Sequence, residues 1–376
     1  MMQTQLTERV LQHQQKHLYR KRCRRTAEQW VFCSNDYLGM AQHPDVIAAV
    51  KQGVDAYGVS GSSSPLVAGY TEAHQALELA FAKFLKRDAA LLFSCGYMAN
   101  LGLLSVLANQ GDTIFADKYI HASLIDAIRL SQAKLRRYPH LDYCQLNALL
   151  MQPMGAGRKF IVSDSVFSMQ GNQADIAQLV EISQRHQATL VIDDAHGIGI
   201  LGEHGAGIAG SFAQEEIPIL MCPLAKAFGV MGAIVAGSFA LIESLVQFAR
   251  PYIYTHALPP ALAVAGLVSL QCVEKESWRR AKLQKLIAYF RQQARYFNLP
   301  LMSSLTPIQP IIIGSSQKAQ QLSERLLQTG ILLNAMRPPT VPEHGACLRV
   351  TLTCLHEKPH IDRLLQTIKY HYDDLS

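Results

Sequence analysis

Residues 189–199 read TLVIDDAHGIG: four apolar or β-branched residues run into Asp193, Asp194 and His196 and then into glycines. A short apolar run bounded by a glycine-rich turn reads as a buried strand. In a parallel sheet the carboxyl ends of strands carry the ligand sites. Two acids and an imidazole emerging there are placed to act on a bound molecule. The plainer reading, a strand-end turn with solvated acids, competes with this one.

The same beat repeats on either side. AALLFS (89–94), DTIFAD (112–117), KFIVSDSV (159–166), IPILMC (217–222) and GAIVAGS (232–238) are strand-length apolar runs separated by helical segments. Strands alternating with helices predict an α/β fold built on a largely parallel sheet covered on both faces. Upstream, PDVIAAVKQGVDAYG and TEAHQALELAFAKFLKR read as helices on either side of a serine-rich loop, VSGSSSPLVAGY. Around 258–262, LPPAL interrupts the rhythm. A long helical stretch (263–297) and strand–helix–strand signals follow, through IQPIIIG, AQQLSERLLQTG, ILLNAMRPP and CLRVTLT. The expected division is an N-terminal helix and extended segment (1–44), a large domain (45–262) and a smaller C-terminal α+β domain (263–376).

The chain has 376 residues, 49% of them hydrophobic and 17% charged, a globular balance. Its net charge of +6 is concentrated in KHLYRKRCRR (16–25), which reads first as a solvated basic helix and second as a site for an anionic substrate. Nucleic acid is a distant third. Eight cysteines (23, 33, 95, 144, 222, 272, 347, 354) form no C-x-x-C pair, and no secretory apolar segment opens the chain. Reduced thiols, a cytoplasmic location and neither a disulfide framework nor a metal site are expected. No apolar run is long enough for a membrane span.

Three further stretches carry chemistry. LLFSCGYMANLGLLSVL (91–107) is a strand, a small-residue turn at Ser94–Gly96 and a helix, a junction whose free N–H groups attract phosphate. DKYIHASLIDAIRL (117–130) puts His121 at a helix start just after a strand, where a structural histidine is the commoner reading and an imidazole able to stack on a flat ring the sharper one. SDSVFSMQGN (163–172) offers Ser168 at another strand end, with a turn serine as the alternative. PLAKAFG (223–229) then sets one lysine, Lys226, among apolar and small residues, a setting that favours free amine for Schiff-base chemistry. A lysine, an acid for a pyridine nitrogen and a phosphate cradle together are what pyridoxal 5'-phosphate requires.

The stretches SNDYLGMAQHP, LLFSCGYMAN, IHASLIDA, VFSMQGN, VIDDAHGIGILGEHGAG, AKAFGVMGA, IYTHALPPA and RPPTVPEHGACLRVTLTCLHEKPHIDRLL make the chain resemble the α-oxoamine synthases over about residues 30–370. That resemblance implies a fold-type I pyridoxal-phosphate transferase with a large, mainly parallel, seven-stranded sheet. RPPTVP and the ending most resemble the biotin-pathway branch, which implies an acyltransferase joining L-alanine to a pimeloyl thioester, on CoA or an acyl carrier protein. Another member using glycine or serine, or a non-catalytic homologue, is the alternative. By the same resemblance Lys226 would hold the cofactor and move the Cα proton, and Asp193 would pair with the pyridine nitrogen. His121 would stack on the ring, Ser168 and His196 would bond the ring hydroxyl, and Gly96 and Tyr97 would hold the phosphate. Thr255 would come from the neighbouring subunit of a homodimer with its site at the subunit interface. Asn35 and Arg349 would bind the amino-acid carboxylate, and Thr340, Arg337 and Arg20 the acyl substrate. The chain departs from the family at Pro223, where a phosphate-binding threonine is usual, at the serine-rich loop through Pro65, and at His256.

Overall fold

The computed structural model describes residues 2–16, 18–153 and 155–375. Its helices and strands follow one another as α1 (Met2–Gln15), β1 (Trp30–Val31), α2 (Pro44–Tyr57), α3 (Glu72–Phe84), β2 (Ala89–Phe93), α4 (Gly96–Leu107), β3 (Thr113–Asp117), α5 (Ala122–Ser131) and β4 (Lys134–Tyr138). After these come α6 (Tyr143–Met151), β5 (Lys159–Asp164), α7 (Ile176–Arg185), β6 (Thr189–Asp193), β7 (Ile219–Pro223), β8 (Ala233–Gly237), α8 (Phe239–Phe248), α9 (Arg250–Ile253), α10 (Pro260–Lys275) and α11 (Ser277–Tyr296). The chain ends with β9 (Ile308–Gly314), α12 (Ser316–Gln328), β10 (Ile331–Leu332), β11 (Ala335–Met336), β12 (Ala346–Thr351) and α13 (Lys358–Asp374).

Two compact units divide the chain. The larger comprises Leu38–Phe167 and Gln173–Arg280, the smaller Met1–Tyr37, Ser168–Asn172 and Ala281–Ser376. These bounds differ from the three expected segments. Residues up to Tyr37 join the C-terminal unit because β1 pairs with β10 in parallel. α10 stays with the larger unit, where a β-carbon on Gly53 of α2 would lie 2.6 Å from Ala261 Cα. The long helical stretch is two helices, broken at Glu276.

The larger unit is built on a seven-stranded sheet of order β2-β8-β7-β6-β5-β3-β4. Only β8 runs antiparallel to its neighbours. β3, β7 and β8 are buried at every position, as strands covered on both faces must be. Leu91, Phe93, Ile114, Ala116, Val162, Val191 and Met221, one side of successive strands, form a single core with Leu103 and Leu104 of α4 and Leu124 of α5. The sequence reading omitted β4, KLRRY, an edge strand. Charged side chains on an edge suppress pairing with other chains but also remove the apolar run by which a strand is recognised. In the smaller unit β9 and β11 flank β12, both antiparallel to it.

Candidate active site

The sheet brings three strand ends together in the larger unit. β6 and β7 run in parallel with Asp193 opposite Met221, so Lys226, three residues beyond β7, emerges beside the end of β6. Phe93 at the end of β2 and Pro223 at the end of β7 both pair with Ala233 of β8. This register sets the α4 N-terminus against Pro223, where a β-carbon on Gly96 would come within 3.1 Å of Pro223 Cγ. Glycine is therefore the residue that fits this turn without moving the proline ring.

Asp193 is 3% exposed. One oxygen accepts from Asn100 Nδ2 at 2.9 Å and the other from the Ala195 N–H at 3.0 Å. Asn100 also donates to Ser123 Oγ at 2.9 Å, and Ser123 Oγ lies 2.7 Å from His121 Nδ1. A continuous polar chain thus runs from His121 at the α5 N-cap to Asp193 at the end of β6. Burial holds His121 below its ordinary pKa; the Asp193 carboxylate opposes this and the Lys226 charge adds to it. His121 is exposed to solvent. An exposed imidazole suits stacking.

A second acid lies next to the first. Asp164 ends β5 directly opposite Asp193 and accepts the His121 backbone N–H at 3.2 Å. Burial, then the neighbouring Asp193, raises it well above the carboxylate range, with the His121 N–H and Lys226 opposing. Asp194, which the sequence left level with Asp193, is pushed up to about 7 by burial, is bonded by the Ser165 hydroxyl and fills the space beside Gly207. Asp194 therefore anchors the glycine-rich turn. His196 is buried just beyond it.

Lys226 is half-buried, and its charge acts on both His121 and Asp164. At the α4 N-terminus Cys95 supplies no side-chain cap, so the first N–H groups of a 12-residue helix, those of Gly96 and Tyr97 among them, are available to an anion. A lysine, a held carboxylate and an uncapped helix start fit pyridoxal phosphate. Pro223, lacking both hydroxyl and N–H, adds no donor there. The serine-rich loop ends in a π-type turn at Pro65–Gly69 capped by Ser64, and Gly61 and Gly69 pack on Ala257. Thr255 is half-buried and His256 exposed just before this contact.

The remaining expected residues gather in the smaller unit. Arg349 of β12 is 5% exposed. Its Nε donates to the Ser168 carbonyl at 2.6 Å and its Nη1 to Thr351 Oγ1 at 3.0 Å, while Asn35 Oδ1 lies 3.4 Å from Nη1. Tyr37, absent from the sequence reading, donates to the same Asn35 oxygen at 3.4 Å. Burial pushes its hydroxyl up to about 12, against the pull of Arg349. Arg20 donates to Thr340 Oγ1 at 3.4 Å and Arg337 to the Tyr19 carbonyl at 3.0 Å. All three line a cavity of about 610 Å³ together with Lys21, Gln320 and Ser323. Sequence reasoning missed Asn100, Ser123, Asp164 and Tyr37; Asn100 had a signal, a lone amide on the apolar face of α4.

A family model described as aminotransferase class I and II matches residues 27–368. The chain is 50% identical over 347 residues to the 8-amino-7-oxononanoate synthase of Pseudomonas paraeruginosa, spanning 92% of this chain and 86% of that one. Among solved structures, the 8-amino-7-oxononanoate synthase of Francisella tularensis superposes with a TM-score of 0.81 at 36% identity, over 92% of this chain and 98% of that one. A serine palmitoyltransferase from S. paucimobilis with a bound PLP–myriocin aldimine gives a TM-score of 0.89 at 26% identity, over 92% and 88%.

Proposed function

We propose, for a chain that belongs to the aminotransferase class I and II family and within it to the 8-amino-7-oxononanoate synthases, that it condenses L-alanine with a pimeloyl thioester. The products are 8-amino-7-oxononanoate, carbon dioxide and the free thiol carrier. The observation that supports this reading is that Asp193 ends β6 opposite Met221 of β7, five residues before Lys226, and that Asp193 and Lys226 both act electrostatically on His121 and Asp164. The chain is a pyridoxal-phosphate-dependent acyltransferase, and the bound cofactor supplies an electron sink for the carbanion at the alanine α-carbon.

Each residue then has a task. Lys226 holds the cofactor through its amine, takes the proton from the alanine α-carbon and returns one to the product. Asp193 keeps the pyridine nitrogen protonated, while Asn100 and the Ala195 N–H keep Asp193 aimed. His121 offers its imidazole to the ring, and His196 and Ser168 bond the ring hydroxyl. The N–H groups of Gly96 and Tyr97 take the phosphate. Arg349 and Asn35 hold the alanine carboxylate, which restricts rotation about the α-carbon and favours the reactive geometry. The cavity lined by Arg20, Arg337 and Thr340 receives the acyl substrate. Thr255 serves the phosphate of a partner subunit, which makes the working unit a homodimer, and the reaction belongs to the cytoplasm. Among the described residues no helix is long and apolar enough to cross a membrane.

The test is turnover. The purified protein, supplied with L-alanine and pimeloyl-CoA or a pimeloyl carrier protein, is expected to release carbon dioxide and 8-amino-7-oxononanoate. It should also show a visible absorbance band that borohydride abolishes and Lys226→Ala lacks. Turnover with glycine or serine and another acyl thioester, but not with alanine, would overturn this assignment.

A further inference from the structure

The corner where α2 begins and α10 ends carries a group of side chains that the condensation does not use. The close contact of Gly53 with Ala261 and the approach of His43 to Cys272 make the two helices antiparallel neighbours, so the α2 N-cap meets the last turn of α10. There one ligand atom each from His43, Asp45 and Cys272 lies within 4.8 Å of the others. His43 and Cys272 are each 7% exposed, while Asp45 is open to solvent.

The imidazole is oriented on its far side. His43 Nε2 lies 3.1 Å from Glu276 Oε1, and Glu276 is in turn held by Arg279 Nε at 2.5 Å. A carboxylate at Nε2 places the ring proton there and leaves the lone pair on Nδ1. Nδ1 accepts the Asp45 N–H at 3.2 Å and faces Cys272 Sγ at 4.0 Å. A metal-binding histidine has this arrangement, with its second nitrogen donating to an outer carboxylate.

We propose that His43 Nδ1, Cys272 Sγ and the Asp45 carboxylate form a site for one zinc-class divalent cation, with Glu276 orienting the histidine and water completing a tetrahedron. A mixed nitrogen, sulfur and oxygen set suits zinc. On binding, the Cys272 S–H bond breaks, a metal–sulfur bond forms and the proton leaves to solvent. Zinc, one thiolate and one carboxylate sum to zero charge, which suits a corner whose other ligands are buried. Binding displaces the Asp45 N–H from Nδ1, so the cation competes with the α2 cap. His43 and Cys272 stand 229 positions apart, which is why no ligand spacing in the sequence announces them.

The experiment titrates zinc into the cofactor-loaded full chain against a chromophoric chelator in weak buffer. One equivalent bound, about one proton released per zinc, and an affinity weaker by at least about tenfold in both Cys272→Ala and His43→Asn are expected. Asparagine at position 43 retains a capping side chain. Should either variant fail to fold, Glu276→Gln, which leaves all three ligands in place, must lower the affinity by about 10- to 100-fold. Binding without proton release, binding beyond one equivalent that ignores these substitutions, or no binding would each overturn the site.

Discussion

Pro223 Cγ stands 3.1 Å from where a β-carbon on Gly96 would lie, so the end of β7 presses a ring without donors against the start of α4. Threonine at position 223 would bring a hydroxyl to the same place. Pro223→Thr is expected to tighten pyridoxal phosphate binding by roughly 2- to 12-fold, the worth of one net hydrogen bond. Gly96→Ala, which forces the ring to shift, is expected to weaken it. Fluorescence titration of the cofactor-free protein reads both, and unchanged affinity in Pro223→Thr would remove the phosphate from this corner.

Asn100 spans Ser123 and Asp193 from inside α4. Asn100→Ala leaves two buried polar groups without that donor and should cost about 1–3 kcal/mol of stability. If Asn100 aims Asp193, cofactor affinity falls as well. Urea denaturation and cofactor titration separate the two, and a stability loss with full affinity would reduce Asn100 to a packing residue.

Arg349 makes directional bonds through Nε and Nη1, which lysine does not reproduce. Arg349→Lys is expected to raise KM for alanine by roughly 10- to 150-fold, equivalent to about 1.5–3 kcal/mol for a charged hydrogen bond, with KM for the acyl thioester little changed. Equal rises in both constants would argue against a carboxylate clamp.

Glu78 of α3 is 8% exposed; it accepts the Tyr70 hydroxyl at 2.7 Å and the Leu92 N–H at 2.8 Å. Burial nonetheless raises it to about 7, with both bonds opposing. Between its ordinary value of 4.5 and about 7 the folded chain holds a proton that the unfolded chain has lost, so stability falls as pH rises through that window. The loss approaches about 3 kcal/mol. Glu78→Gln should flatten the difference in denaturation midpoint between pH 5 and pH 8; a slope as steep as in the unsubstituted protein would refute this cause.

Much of the larger unit was legible because its signals are local. Six of its seven strands announce themselves as apolar runs, and a glycine follows β2, an acid ends β6 and a lysine follows β7. β4 was illegible because an edge strand has no need of apolar residues. Asn100 was nearly so, since one amide in an apolar helix reads as an exception until its partners are known.

By itself the sequence determined the alternation of strands and helices and the chemistry available at each strand end, because side-chain period and turn composition are properties of neighbouring residues. Tertiary structure decided which of those groups work together. Asp117, Asp164 and Asp193 all end strands, and the order β6-β5-β3 with its register sets Asp164 beside Asp193. Asp117 instead takes the N–H groups of Tyr119 and Leu141 and the ring of His140. The contacts of Pro223 with Gly96, Arg349 with Ser168 and His43 with Cys272 join residues more than 100 positions apart. Such contacts depend on strand order and helix packing, which no window of neighbouring residues contains.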